Sequence, residues 1–462
     1  MTSKLAIFTT ALLLSSAAAH ADISISSKPT SNMSCNGGNC TASAPKAVLN
    51  VTDLETMLAS GDVTVKTGGI TNNIDIVQPL TWSSTSRLTL DAQLSAVVMK
   101  AVTVTGAGSM TIMTNDGGQG GEFYIQTSAS IQFWNLNSSL VINGQSYKLV
   151  ADLKSLASAI HQDSAASYAL AKPYDASQDG RYRRSPIAIG FSGNFEGLGN
   201  PITNLTIKNR TDNGTAGLFS DANGSLSDVV VLNASVAAVG SPAVAGALAA
   251  EGIASIHHCF TSGKVFATTE AGGLVAVGGN ISSSGSSARV QISTGEAGGL
   301  VGSSEGSIFS SYATGDVTAG DDSFTGGLIG VGEGLIGASY ARGSVAAGAN
   351  SHVGGLIGLK GQSAFASYST GLVTGGSGSL VGGFAGSDSY FCCNSSDYWD
   401  IDSSGTDQGT GTGNESNLVG LTTAQFQTGL PEGFTPDVWS EKGKINSGYP
   451  YLLANPPPKR DQ

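Results

Sequence analysis

The chain has 462 residues, of which 12% are charged and 64 are glycine, against about 25% charged residues in an ordinary globular protein. Its 34 acids and 22 bases leave a net charge of −12, which excludes the broad basic face that nucleic-acid binding requires. A hydrophobic share of 40%, set in regular Leu, Ile and Val positions, excludes a disordered chain.

The N-terminus carries Lys4, an apolar run from Leu5 to Ala18, then Ala19-His20-Ala21. A charged start, a short apolar stretch and a small-x-small site predict a signal peptide over 1–21, cleaved before Asp22. No later stretch reaches the roughly 20 apolar residues of a membrane span; the one from Ala237 to Ser255 is broken by Pro242 and Glu251. The mature chain is therefore expected to be exported, secreted or held at the cell surface, the periplasm being the other destination, with no span of its own.

Residues 22–46 are rich in Ser, Asn, Pro and Gly and are expected to form a flexible leader. Within them Cys35 and Cys40 enclose Asn-Gly-Gly-Asn and are expected to pair. Cys259 is expected to be a small buried residue. The adjacent Cys392 and Cys393 lie five coils on, on the order of 24 Å away, beyond the reach of a disulfide. From 47 to 148, runs such as Arg87-Leu-Thr-Leu, Val102-Thr-Val-Thr and Met110-Thr-Ile-Met alternate with turn residues, as in stacked β-coils. Residues 149–186 are read as an insertion. In it Leu149, Leu153, Leu156 and Ile160 sit at helical spacing, predicting a short helix over Leu149 to His161 on the flank of the stack. Arg181-Tyr-Arg183-Arg184 is read as a solvated loop rather than a phosphate site.

From 187 to 390 the sequence repeats. The pairs Gly272-Gly273, Gly298-Gly299, Gly326-Gly327, Gly354-Gly355 and Gly382-Gly383 step by 26, 28, 28 and 28 residues, each followed by Leu or Phe. A second module keeps the same time: Ser311-Tyr312-Ala-Thr-Gly, Ser339-Tyr340-Ala-Arg-Gly and Ser367-Tyr368-Ser-Thr-Gly. A fixed period of this size predicts stacked units. Three short runs per repeat read as one turn of a three-sided β-helix, with Tyr312, Tyr340 and Tyr368 in a ladder and the glycines at tight, positive-φ corners. Residues 391–455 are expected to cap the stack, leaving 456–462 as a tail.

At Gly327-Leu-Ile-Gly330 and Gly355-Leu-Ile-Gly358 the repeat resembles the GLUG motif, and Phe191-x-Gly-x-Phe195-x-Gly-Leu-Gly resembles the lead-in to such arrays. Ser396-Asp-Tyr-Trp-Asp400, Leu421-Thr-Thr-Ala-Gln-Phe and Tyr449-Pro-Tyr-Leu452 are similar to their closing elements. Leu80-Thr-Trp and Thr114-Asn-Asp-Gly-Gly resemble coils of filamentous-haemagglutinin-type exoproteins, although the Asn-Pro-Asn motifs of their secretion domain do not occur. The resemblance spans most of 75–453 and implies a right-handed parallel β-helix in a bacterial secreted or surface protein, often adhesive, with a cell-surface protein or glycan as partner.

β-Helices also carry polysaccharide lyases and hydrolases, which need converging carboxylates on one exposed ladder. Asp397, Asp400 and Asp402 are the best local candidates, but they fall in the closing element and are read as structural. Asp321-Asp322 reads as an exposed turn with no acid at its phase in the neighbouring repeats, and the sparse, unphased acids count against an enzyme. His257-His258 has no acid nearby in sequence and reads as incidental. The Gly117-Gly-Gln-Gly-Gly-Glu122 stretch occurs once and lacks the aspartate of calcium-binding turns. No catalytic residue, metal or cofactor is expected; the predicted function is that of an exported, non-catalytic adhesin or surface structural protein, with a polysaccharide-active enzyme as the alternative.

Overall fold

A short strand with one apolar face cannot bury that face alone, and here each run is covered by the equivalent run one coil away. Val290, Val317, Val345 and Val373 stand in register through successive coils, as do Ile281, Ile308 and Ile336. In a computed structural model describing residues 22–116, 118, 120–388, 395–412, 417–442 and 445–458, these ladders build a parallel β-solenoid of about 13 coils. The signal-peptide expectation, Cys392-Cys393 and the last residues of the tail lie outside the described residues.

The N-terminal stack has three walls. One runs from Ala47–Asn50 through Ile23–Ser26, Ile74–Ile76 and Ala96–Val98 to Phe123–Ile125. A second joins Leu80–Trp82, Val102–Val104 and Ile131–Phe133, and a third runs from Met33–Asn36 to Leu140–Ile142. Residues 22–46 thus contribute the strands Ile23–Ser26, Met33–Asn36 and Asn39–Ala42 and are not a flexible leader. Ile23 and Ile25 alternate with serines, point inward and are fully buried, and their burial outweighs the polar composition around them. Cys35 and Cys40 face each other across an antiparallel hairpin turned by Gly37 and Gly38, and they are disulfide-bonded.

Two helices interrupt the coils. The first, α1 (Val51–Ser60), was not expected. Asn50 caps it by accepting hydrogen bonds from the Thr52 and Asp53 amides, and Leu54 and Leu58 form its buried stripe. The second, α2 (Leu153–Gln162), begins later than the spacing predicts, because Asp152 caps it in a reciprocal pair with Ser155. Leu149 therefore belongs to the strand Gln145–Val150. Nor is 149–186 an insertion outside the solenoid, since Ser167–Leu170 continues the third wall.

At this point the stack changes partners. Asn143 and Gly144, both at positive φ, turn the chain so that Gln145–Val150 runs antiparallel to Leu140–Ile142, after which every neighbour in that wall is parallel. Leu140, Leu149 and Ala169 face the N-terminal core, whereas Val150, Tyr168, Leu170 and Phe195 face a second, larger core. Strand direction and inner face reverse together, so the two stacks wind with the same hand while sharing one sheet edge to edge.

The C-terminal coils hold five short strands on four walls, not three strands. One coil reads Ser323–Gly326, Ile329–Gly332, Ile336–Gly337, Tyr340–Ala341 and Val345–Ala347. Gly327-Leu328 is the corner between the first two. None of the repeat glycines has a positive φ. They are needed for space: a Cβ on Gly327 would lie 2.1 Å from the Gly355 carbonyl oxygen, and one on Gly355 2.0 Å from that of Gly383. The left-handed corner lies elsewhere, at Asp228, His258, Ser283, Ser310, Ala338, Ala366 and Ser396, with φ between 45 and 59°.

The tyrosine ladder is real but faces outward. Ala313 and Ala341 enter the main core, so their neighbours Tyr312 and Tyr340 point the other way. Ring centroids are 5.2 Å apart for Tyr312–Tyr340 and 5.1 Å for Tyr340–Tyr368. The closing segment extends the stack with Asp397–Asp400 and Leu418–Leu421, then folds back so that Phe426, Phe434, Trp439 and Tyr449 cover the ladder. It therefore seals a side wall as well as an end.

Candidate groove and acidic ladder

The wall that carries the tyrosines bends in every coil. In Val230–Ala238 the bend falls at Asn233, which has a φ of 54°, and in Phe260–Ala267 at Gly263, with a φ of 120°. Further along it falls at Gly315, Gly343 and Gly371, the glycines of the second repeated module. A Cβ at any of these three would come within 1.9 Å of a carbonyl oxygen in the preceding coil. These glycines form the backbone floor of a trough parallel to the solenoid axis.

At its C-terminal end the trough is filled. Arg342 donates to the Asn446 carbonyl and side-chain oxygens at 2.7 and 2.8 Å and lies 4.5 Å over the Tyr449 ring, while the Ser403 hydroxyl donates to the Thr370 carbonyl at 2.6 Å. Further toward the N-terminus it is an open groove of about 900 Å³. Asn204, Thr206, Asn233, Ser235, Ser287 and Thr314 supply amides and hydroxyls to its lining, and Arg181, Lys264 and Arg289 supply positive charge. Asn233 donates to Asn204 at 2.6 Å and Asn204 to Asp175 at 3.0 Å, fixing both amides. Among the lining residues the carboxylate is Asp316, 3.3 Å from Arg289. Arg181, from the basic run read as a solvated loop, is exposed at one end of this groove.

A second feature lies on another wall. Glu270 and Glu296 are in register in adjacent coils, and both occur as Glu-Ala-Gly-Gly-Leu, two residues before the repeat glycines. The expectation of unphased acids is therefore wrong; the repeated pentapeptide was the signal. Burial raises both carboxyls, Glu270 to about 7 with the neighbouring Glu296 adding to it, and Ser303 hydrogen-bonds to each.

Of the other residues considered from sequence, His257 and His258 are separated by the strand's end. His257 shares a hydrogen bond with Ser282 at 2.6 Å. His258 turns into the junction between the stacks, where it packs on Tyr124 with centroids 5.0 Å apart and lies 3.7 Å from Glu122. The fold thus supplies the acid missing from its sequence neighbourhood. Burial first, and then His257, pushes His258 down to about 4, so it is neutral at physiological pH. Glu196 and Asp228 are buried beside it and both are raised by burial; Asp228 accepts from the Ile125 amide of the N-terminal stack at 2.9 Å. Asp400 caps a short helical turn at Ile401–Ser404 and accepts from Thr423 and Tyr449, which makes it a structural residue. Cys259 is buried with a free thiol. Asp321 accepts from the Ala349 amide at 2.7 Å in the next coil.

No family model matches the chain, and no curated protein matches it. Among solved structures it is similar to the crystal structure of a "putative immunoglobulin A1 protease" from Bacteroides ovatus, with 17% identity and a TM-score of 0.43, over 67% of this chain and 93% of that one. At that distance the likeness transfers neither activity nor site.

Proposed function

We propose that the chain is an exported, non-catalytic surface protein of the GLUG-repeat type that holds an extended acidic glycan along the open trough. The observation that carries this reading is the set of cations in the groove. Arg181, Lys264 and Arg289 stand among fixed amides and hydroxyls on a molecule whose net charge is −12. Hydroxyls and amides pair with sugar hydroxyls, while guanidinium and ammonium groups select carboxylates or sulfates. Coils about 4.8 Å apart present these groups as a line, which suits a polymer better than a compact ligand.

The test is binding of the full chain to immobilised uronate-containing and sulfated polysaccharides. We expect saturable, salt-sensitive binding that weakens at least tenfold when Arg181→Ala and Lys264→Ala are combined; binding indifferent to that pair of changes, or none at all, sinks the reading. Antibody labelling of intact cells checks exposure at the surface.

One observation favours a second reading, a polysaccharide-active enzyme. Glu270 and Glu296 bring two carboxyls with raised pKa values onto adjacent coils, close enough to hydrogen-bond to each other, and a carboxyl pair is what glycosidases use. Shortening of a polysaccharide by the wild-type chain, abolished in Glu270→Gln, would replace the first reading with this one.

A further inference from the structure

The apolar interior of the C-terminal stack contains one ladder that changes character as it descends. Gly278, Ser304, Gly332, Lys360 and Asp388 are in register in successive coils. A Cβ on Gly332 would meet Ile329 and Ile336 carbons at 3.5 to 3.8 Å, so this position faces the core. Lys360, directly below, is 0% exposed, and its Nζ lies 2.9 Å from Asp388 Oδ2. The same ammonium donates to the Gln362 carbonyl at 3.1 Å. A third ionisable group ends the neighbouring serine ladder. The amides of Ser284, Ser311 and Ser339 each donate at 3.2 Å to the hydroxyl of the serine in the next coil, and Asp397 occupies the last place, accepting from the Ser367 amide at 3.0 Å. Asp397 is 0% exposed, and its Oδ2 has no hydrogen-bond partner among the described residues.

We propose that Lys360 and Asp388 are joined by an isopeptide bond that the folded chain forms by itself. The pair meets the requirements of amide formation. Nucleophile and carboxyl are held in contact, and groups so oriented react as though at roughly 10⁵ M or more. The site is dry, so the water released leaves for bulk solvent, and a neutral amide replaces two charges whose burial is costly. In the step itself, the Lys360 ammonium gives one proton to the Asp388 carboxylate, leaving an amine and a carboxylic acid. The amine nitrogen attacks Asp388 Cγ, the N–C bond forms, and a second proton passes from nitrogen to the departing hydroxyl. The C–O bond breaks and one water leaves; ammonium plus carboxylate has become amide plus water, with no oxidant or co-reactant. Burial pushes Asp397 up to about 8, with backbone hydrogen bonds and the Lys360 charge opposing, so at neutral pH it stays protonated and leaves Asp388 as the carboxylate paired with Lys360. The bond would tie Ile357–Lys360 to Ala385–Asp388 in the last full coils, where the stack has least support from below.

Peptide mapping of the wild-type full chain decides the matter. We expect a branched peptide containing both Lys360 and Asp388, one water lighter than its parts, and no tryptic cleavage after Lys360. Separate linear peptides, with the Lys360 amine open to acylation once the chain is denatured, overturn the proposal.

Discussion

Gly327 illustrates how a residue's role is set by its neighbour in space rather than by its own dihedral angles. From sequence, a glycine recurring at a corner suggests a positive φ. In the fold, the glycine pairs are needed because adjacent coils pass within a hydrogen-bonded strand spacing, and a Cβ would strike the next carbonyl at 2.1 Å. Gly327→Ala is therefore expected to destabilise by about 3 kcal/mol or more, read as a lower denaturation midpoint. A loss below about 1 kcal/mol would mean that the coils part easily. The positive-φ corner instead takes Asp, His, Ser and Ala, among them Ala338 and Ala366. No residue type at those places announces the conformation, so pattern reading passed over it.

At the scale of elements, the tyrosine ladder and the closing segment depend on each other. The Tyr368 hydroxyl donates to the Pro450 carbonyl and accepts from the Asn446 side chain at 2.9 Å, whereas the buried Tyr312 and Tyr340 hydroxyls have no partner among the described residues. Removing a satisfied hydroxyl costs about 1 kcal/mol, while removing an unsatisfied one costs little or stabilises. Tyr368→Phe is expected to lower stability by about 1 kcal/mol and Tyr340→Phe to leave it unchanged or raised; equal losses in thermal unfolding would contradict this assignment. The repeat and its phase were legible from glycines and tyrosines alone. That the tyrosines face outward was not, because a period of two places alternate residues on opposite faces without saying which face is inside. Helix α1 was missed because Leu54 and Leu58 make only a short stripe amid β-prone runs, although Asn50 stood at its start as a capping residue. Asn143-Gly144 carries a hairpin-turn signal, but Asn36, Asn213 and Asn223 are also followed by glycine, so the dipeptide alone does not single out the junction of the two stacks.

For the molecule as a whole, buried carboxyls set the pH response. Burial raises Asp75 and Glu270 to about 7 and Asp397 to about 8. A raised acid binds its proton more tightly folded than unfolded, so its contribution is complete below the ordinary carboxylate range and is lost as pH climbs through 7 to 8. His258, depressed to about 4, acts in the opposite sense: its contribution is present above the usual histidine value and is lost as pH falls from there toward 4. The acids outnumber it, and the net charge of −12 adds repulsion as they ionise. The unfolding temperature is therefore expected to be higher near pH 5.5 than near pH 8.5. A rise in that temperature across the same interval would show that the acids are not held protonated.

The sequence by itself determined the class of fold. Low charge, abundant glycine and a 28-residue period admit few solutions other than stacked coils, because each unit can bury its apolar face only against a copy of itself. Only the tertiary structure decided where chemistry can occur. Arg181, Lys264 and Arg289 are separated by whole coils in the chain and come to one trough through winding. Glu122 meets His258 only because two stacks share a sheet, and Lys360 meets Asp388 because their coils are in register. A period fixes which residues are equivalent; the path of the wall decides which inequivalent residues touch.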